Sequence, residues 1–272
     1  MEQPWHFANA VLNDKGQPQS YKQLIANNAT KERWSLAMCY ELGRLSQGFG
    51  GCKDGTNTCF FMTHDEIRRI PKDRTVTYAR IVVDYRDQKA DPYRVRVTAG
   101  GNLITFPGEL TTRTADMTTS KLLWNSVIST KDAKYMCADC ANFYLETPME
   151  RFEYMRMKIE LVPQAFIDEY QLHDNIYNGY VYMEIRRGMY GLPQAGMLAN
   201  KLLKSRLAPH GYYEVLHTPG LWRHQFRPVM FTLVVDDLGV KFVAQKHADH
   251  LMNALEENLF IAEHRSGTST QS

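Results

Sequence analysis

The stretch MFTLVVDDLGVKFVA, residues 230–244, places two acidic residues between two apolar runs. Met230–Val235 and Leu238–Ala244 each have the length and the β-branched and aromatic content of a strand. Asp236 and Asp237 separate the runs, which predicts a hairpin with both aspartates in its turn. Asp favours turns because its side chain bonds the nearby backbone, so this spacing alone leaves a purely structural interpretation open.

A third carboxylate ends another predicted strand. Lys134–Asp139 has the pattern of a buried strand, and a charge at the end of such a strand calls for a reason. Adjacent anions repel unless a cation lies between them, and carboxylate oxygens suit Mg²⁺, which keeps waters and recruits substrate phosphates. Asp139, Asp236 and Asp237 are therefore a candidate magnesium site. Two such ions, about 3.5–4 Å apart, are the arrangement that polymerases use for in-line phosphoryl transfer.

Helices and further strands are predicted on both sides of these segments. Helical spacing of apolar residues predicts helices at Thr30–Leu45, Thr118–Ile128, Ala195–Leu207 and His247–Leu259. Strands are predicted at Thr58–Met62, Val76–Val83, Glu153–Lys158 and Tyr180–Ile185, with Tyr85–Arg96 as a polar return. This mixture indicates an α+β fold in which helices cover one face of an antiparallel sheet.

Composition narrows the class of protein. The chain has 272 residues, of which 44% are hydrophobic, enough for a sizeable core. Its net charge of +2 does not by itself indicate a nucleic-acid partner. No apolar run reaches the roughly 18 residues of a membrane span, so we expect a soluble protein with no membrane partner. Five cysteines without disulfide spacing or a signal peptide favour an intracellular compartment, cytoplasmic or nuclear.

Cysteines and histidines offer two weak metal motifs. Cys137 and Cys140 form a lone C-x-x-C, and the remaining cysteines do not supply the second pair that a zinc site requires. His247 and His250 share a predicted helix face without a third ligand. We assign no zinc site to either motif.

Four motifs, in order along residues 55–258, resemble the reverse transcriptase domain of copia-type retrotransposons. VVDD at 234–237 is similar to the box usually written as an aromatic, a hydrophobic residue and Asp-Asp. ADCANFYL at 138–145 is similar to the preceding catalytic motif, whose Asp is followed five residues later by an aromatic. GMYGLPQA at 188–195 resembles the copia-type LYGLKQA, with Pro193 in place of Lys. RIVVDYR at 80–86 resembles the strand that carries the triphosphate-binding arginine.

The resemblance implies interleaved fingers and palm lobes. Residues 1–54 would be a lead-in segment with an amphipathic helix. The fingers would comprise about 55–110 and 147–193, and the palm about 111–146 and 194–258. Residues 259–272 would be a disordered polar tail, and no thumb is expected.

Site residues follow from the same resemblance. Asp139, Asp236 and Asp237 would be catalytic and hold two Mg²⁺ ions, with Mn²⁺ as an alternative and the Cys140 carbonyl as a further ligand. The incoming deoxynucleotide would be bound by Arg80, Asn142, Phe143, Tyr144 and Gln194. A guanidinium grips triphosphate oxygens in a bidentate way. Tyr144 would lie beneath the sugar and exclude ribose.

The expected activity is RNA-directed DNA polymerisation from a primer on an RNA or DNA template. Two alternatives stay open. One is a non-catalytic remnant that keeps the fold and binds nucleic acid. The other is a two-metal nuclease, which leaves Arg80, Tyr144 and Gln194 without roles. The sequence does not indicate an oligomeric state.

Overall fold

The computed structural model describes residues 9–110, 112–257 and 261–265. Its strands are β1 (Cys59–Phe61), β2 (Val76–Tyr85), β3 (Tyr93–Ala99), β4 (Lys134–Cys140), β5 (Pro148–Lys158), β6 (Tyr180–Arg187), β7 (Tyr212–Glu214), β8 (Leu221–His224), β9 (Val229–Val234), β10 (Asp237–Phe242) and β11 (Ile261–Arg265). Its α-helices are α1 (Tyr21–Ala26), α2 (Lys31–Leu45), α3 (His64–Arg68), α4 (Met117–Ile128), α5 (Gln164–Glu169), α6 (Ala195–Leu207) and α7 (Gln245–Glu256). The α+β class predicted from the sequence is confirmed.

The chain divides into two compact units that alternate in sequence. The first consists of the described residues of Met1–Pro107 and Pro148–Ala195, and the second of those of Gly108–Thr147 and Gly196–Ser272. Each unit contains its own sheet, whereas the sequence predicted a single antiparallel sheet. The first sheet also contains a parallel pair, β2 with β5. Hydrophobic alternation specifies that a segment is a strand but not which sheet it joins, so local patterns could not separate the two.

The sheet of the first unit has the strand order β1-β6-β5-β2-β3. Helix α2, predicted within the lead-in segment, packs against β3 and belongs to this unit. Its buried Glu41 accepts a hydrogen bond from the backbone N–H of Val97 at 3.0 Å and pairs with Arg44 at 2.9 Å. A carboxylate on the helix thus satisfies a backbone donor of the outer strand, a device that covers a sheet edge.

Strand β3 corrects the prediction of a polar return at Tyr85–Arg96. Val95, Val97 and Ala99 are buried, whereas Arg94 and Arg96 occupy the other face of the strand. The arginines made the segment look polar, but the alternation of buried and partly exposed positions is that of a half-buried strand.

The GMYGLPQA segment requires a glycine at one position for a steric reason. Gly191 has a φ of +93°, and a Cβ there would overlap the carbonyl of Ala99 in β3. The neighbouring Tyr190 carbonyl accepts a hydrogen bond from Ala99 at 2.9 Å. Close backbone approach at positive φ is available to glycine without strain.

The sheet of the second unit is antiparallel throughout, in the order β11-β4-β10-β9-β8-β7. One face forms the core with α6 and α7, through residues such as Val240, Leu203 and Leu251. The opposite face contacts α4, since Lys241 donates to the Ser126 carbonyl at 3.0 Å. The prediction that helices cover one face is therefore wrong for this sheet. The side on which a helix packs depends on long-range contacts that its own spacing does not specify.

The predicted polar tail at 259–272 also needs correction. Ile261–Arg265 forms β11 and pairs with β4, with Glu263 in register with Asp139. Without this pairing, the outer edge of β4 would present unpaired backbone groups, so strand addition satisfies them. Residues 258–260 and 266–272 lie outside the described residues.

In the described part of the chain, no helix is long and apolar enough to span a bilayer.

Candidate active site

The β9–β10 hairpin carries the paired aspartates. Val234 pairs with Asp237, so the turn consists of Val235 and Asp236, and Asp237 is the first residue of β10. The prediction that both aspartates occupy the turn is thus off by one residue. Leu233 and Leu238 are opposite each other and both buried, and this packing sets the register. Val235 has a φ of +61°, an unusual conformation for a β-branched residue and one that is found at functional sites.

Asp139 lies at the same end of the sheet as the β9–β10 turn, on the neighbouring strand β4. It lies directly opposite Asp237 in the antiparallel pairing of β4 with β10. Both aspartates are exposed, while their neighbours Ala138 and Leu238 are buried in the core. The fold therefore brings these two carboxylates to one end of the sheet, where β4 finishes and β10 begins, although they are far apart in sequence.

A backbone hydrogen bond to Cys140 holds Asp236 at the same end of the sheet. Its backbone N–H donates to the Asp236 carbonyl at 2.9 Å. Burial, followed by the negative charges of Asp139, Asp236 and Asp237, raises the pKa of the Cys140 thiol to about 12. All three carboxylates thus act on one buried group.

The donor chemistry of this edge suits a hard cation. Asp139 and Asp237 are exposed and Asp236 is half-buried, so carboxylate oxygens can be reached from solvent. The Cys140 carbonyl accepts a hydrogen bond from Phe143 N–H at 3.3 Å and keeps a second lone pair. Within the described ranges, no three His, Cys, Asp or Glu side chains are arranged to hold a metal ion. The aspartates are neighbours along an open edge and do not form a closed cage.

The turn after β4 holds three of the predicted nucleotide contacts. Asn142 has a φ of +56°, which Asn tolerates better than most residues. Phe143 is 3% exposed and lies in the core, so only its backbone is available to a nucleotide. Tyr144 is half-buried against the core, and burial, with the charge of Asp236 as a smaller cause, raises its pKa. Its hydroxyl lies 3.9 Å from the point where a Cβ on Gly196 would stand, at the start of α6.

The other two predicted nucleotide contacts lie in the first unit. Arg80 is exposed on β2, in register with Thr98 of β3. Gln194 is fully buried, and its Nε2 donates to Glu153 Oε1 at 3.1 Å. Its Oε1 has no hydrogen-bond partner among the described residues.

Sequence reasoning missed Glu153, which accepts the hydrogen bond from Gln194. It is 1% exposed and lies 3.6 Å from the Nε of Arg151. Burial raises the pKa of Glu153 more than the charges of Arg151 and Arg74 lower it. The signal available in the sequence was a carboxylate at the start of a predicted apolar strand, which resembles the signal at Asp139.

The C-x-x-C motif does not form a paired thiol site. Cys137 is exposed and Cys140 is buried, because residues three apart in a strand face opposite sides of the sheet. All five cysteines are free thiols.

A histidine cluster in the second unit was not predicted. The rings of His224 and His250 are 5.4 Å apart, and His250 Nδ1 is 2.9 Å from the Tyr212 hydroxyl. His247 lies on the same helix as His250, 3.5 Å from Arg227. Sequence spacing related only the two histidines of α7, since His224 comes from β8.

A scan against protein-family models finds no match for this chain, and a search of curated proteins finds no significant match.

Proposed function

We propose that this chain is a reverse transcriptase domain that extends a primer with deoxynucleotides on an RNA or DNA template. The observation that carries the proposal is the register of Asp139 opposite Asp237, with Asp236 in the adjoining turn. Two acidic residues from separate motifs meet at one end of the sheet, as two-metal nucleotidyl transfer requires. In this proposal the second unit is the palm and the first is the fingers.

Mg²⁺ would be held by carboxylate oxygens of Asp139, Asp236 and Asp237. Bound Mg²⁺ neutralises charge on the reacting phosphate and on the attacking and leaving oxygens. Mg²⁺ sites commonly use one or two carboxylates together with waters and substrate phosphates, which agrees with an open edge of adjacent aspartates. Mn²⁺ has similar ligand preferences and would serve as a substitute.

The chain's own residues would position the nucleotide. Arg80 has a guanidinium exposed to solvent, which suits bidentate contact with triphosphate oxygens. Tyr144 stands beside the aspartate edge, where its ring would exclude a 2′-hydroxyl. Gln194 is fully buried, so its side chain would reach the nucleotide sugar only after a local rearrangement of the first unit. Because Glu153 takes the amide nitrogen, the carbonyl oxygen of Gln194 is the atom left to accept a hydrogen bond.

The test is magnesium-dependent addition of one deoxynucleotide to a primer–template by the full chain. Asp236→Asn and Asp139→Asn should each reduce the rate by about a thousandfold or more, because they remove the negative charge that would hold the Mg²⁺ ions against the transferring phosphate. Asp249→Asn is the matched control, since Asp249 is an exposed carboxylate on α7 that bonds Gln245. Circular dichroism establishes that each variant is folded.

Three results would count against the proposal. Addition that survives both aspartate substitutions would separate the activity from this edge. Aspartate-dependent cleavage of the nucleic acid without addition would favour a nuclease. Folded wild-type protein that binds primer–template but adds no nucleotide would favour a non-catalytic binding module.

A further inference from the structure

Helix α4 carries an exposed apolar stripe in the second unit. Met117, Trp124 and Ile128 are 70%, 60% and 89% exposed, whereas apolar side chains of this size are normally covered. They are separated by seven and four residues, so the helical repeat places them on one line along the helix. The buried Leu123 lies on the other face, which packs on the sheet. Helix α4 therefore has a second apolar face in addition to the one that the sheet covers.

The helix that carries this stripe is fixed at both ends. Asp116 caps its first turn, because the side chain accepts a hydrogen bond from a backbone N–H of that turn at 2.6 Å. Ala115 N–H donates to the Leu233 carbonyl of β9 at 3.0 Å. Near the other end, Lys241 of β10 donates to the Ser126 carbonyl at 3.0 Å. A molecule that docks on the stripe meets a preformed surface, so association has little backbone ordering to oppose it.

The exposed area of the stripe is large enough for a specific contact but not for a tight one. The three side chains together expose roughly 400 Å² in each copy, a size at which apolar patches of soluble proteins are often functional. If two such stripes faced each other, the interface would bury about twice that area, at the lower limit for a specific protein–protein contact. This size predicts a weak association that depends on protein concentration.

The stripe is also complementary to itself. Its fourth member is the exposed Lys121, the only charged residue of α4, and the spacing 117, 121, 124, 128 is the same in both directions. Each residue advances a helix by about 1.5 Å, so in an antiparallel pair of α4 helices centred between 122 and 123 the opposing residues are level. Met117 of one copy then lies opposite Ile128 of the other. Lys121 lies opposite Trp124, where its ammonium group can contact the indole face in a cation–π interaction.

We propose that a second copy of this chain docks on the stripe, so that α4 packs antiparallel on α4 of that copy around a two-fold axis. A second copy supplies both an aromatic face for Lys121 and apolar partners for the rest of the stripe, and the two-fold axis forms each contact twice. The exposed residues beside the stripe, Thr118, Asn125 and Ser129, are polar and uncharged, which suits the rim of an interface. The inference does not depend on the polymerase proposal, since no nucleotide, ion or active-site residue takes part.

Sedimentation velocity of the full chain, without nucleotide or Mg²⁺, measures the association over a concentration series that extends into the high micromolar range. We expect a reversible equilibrium between monomer and dimer without larger species, because a two-fold interface closes on itself. Trp124→Lys should raise the dissociation constant of the dimer by about a hundredfold or more, because it removes the largest side chain of the stripe and brings lysines together across the interface. Leu122→Lys is the matched control. Leu122 is also exposed on α4, at 65%, but lies off the stripe, so the same added charge should leave the dissociation constant unchanged.

A charge swap tests the antiparallel register. Lys121→Glu combined with Trp124→Lys places an acidic side chain of each copy opposite a basic one, so this double variant should associate about tenfold more tightly than Trp124→Lys alone. Both positions are exposed, so the substitutions leave the core intact, and circular dichroism establishes that each variant is folded. The proposal is overturned if the wild-type chain is monomeric throughout the series, if Leu122→Lys weakens association as much as Trp124→Lys, or if the charge swap restores no association.

Discussion

Asp139 and Asp237 lie directly opposite each other in the antiparallel pairing of β4 and β10. Like charges in this position destabilise a sheet, and both side chains are exposed on the face away from the core. Packing of the core does not require carboxylates at these two positions. A cation at the edge would convert the repulsion into binding, which is the physical basis of the proposed activity.

Replacing one of this pair should separate stability from metal binding. Asp139→Asn should raise the Tm without Mg²⁺ by about 1–2 °C, because it relieves cross-strand repulsion. The same change should reduce the Tm increase that Mg²⁺ gives the wild-type protein. Thermal melts with and without Mg²⁺ measure both effects, with Asp249→Asn as the control. A wild-type Tm that does not respond to Mg²⁺ at high concentration would contradict a preformed ion site.

Tyr144 should determine the choice of sugar. Tyr144→Val removes the ring proposed to exclude the 2′-hydroxyl, so ribonucleotides should be admitted. The change in discrimination should exceed the roughly 1–3 kcal/mol that a methylene difference provides. Tyr144→Phe keeps the ring and should retain the wild-type ratio. Single-nucleotide extension with matched ribo- and deoxyribonucleotides measures the ratio of their incorporation rates. An unchanged ratio in an active Tyr144→Val protein would show that Tyr144 serves only to pack the core.

Glu153 should orient the amide of Gln194 in the first unit. Glu153→Ala leaves the Gln194 nitrogen without its acceptor and Arg151 without its ion-pair partner, and should cost about 2–4 kcal/mol in urea unfolding. Glu153→Gln keeps an acceptor oxygen and should cost less. If Gln194 binds the nucleotide sugar, Glu153→Gln should raise the KM for deoxynucleotide more than it lowers kcat. Equal stability of the two variants would show that the hydrogen bond to Gln194 contributes little.

The histidine cluster should make the second unit less stable in mild acid. Burial, and then the charge of Arg227, lowers the pKa of both His224 and His250 below 6.5. At pH values below about 6.5, these two histidines therefore bind protons in the unfolded chain that they do not bind in the folded chain. Stability present above about pH 6.5 is lost as the pH falls toward the folded-state values.

The measurement is the free energy of unfolding between about pH 7 and about pH 5. His250→Gln should make the decline shallower than in the wild-type protein. His173→Gln, at an exposed position beside Asp168, is the control and should keep the wild-type slope. The same slope in both variants would show that His250 does not contribute to the acid sensitivity.

Local patterns in the sequence predicted much of the secondary structure. The strand Lys134–Asp139 is observed as Lys134–Cys140, and the helix Ala195–Leu207 has the predicted bounds. Both segments have an apolar periodicity that reports burial directly. Strand β3 was missed because its arginines alternate with its buried valines. The segment Ile261–Arg265 was missed because its strand depends on an edge supplied by β4.

The sequence by itself determined that carboxylates end two predicted strands, since alternation and turn chemistry are properties of neighbouring residues. Tertiary structure decided that Asp139 faces Asp237 and that Val235 enters the turn, because register depends on which side chains of two strands pack together. It also decided that Glu153 holds Gln194 and that Trp222 stacks on Phe231 in the core. These contacts join residues from different elements, and no local pattern encodes the distance between them.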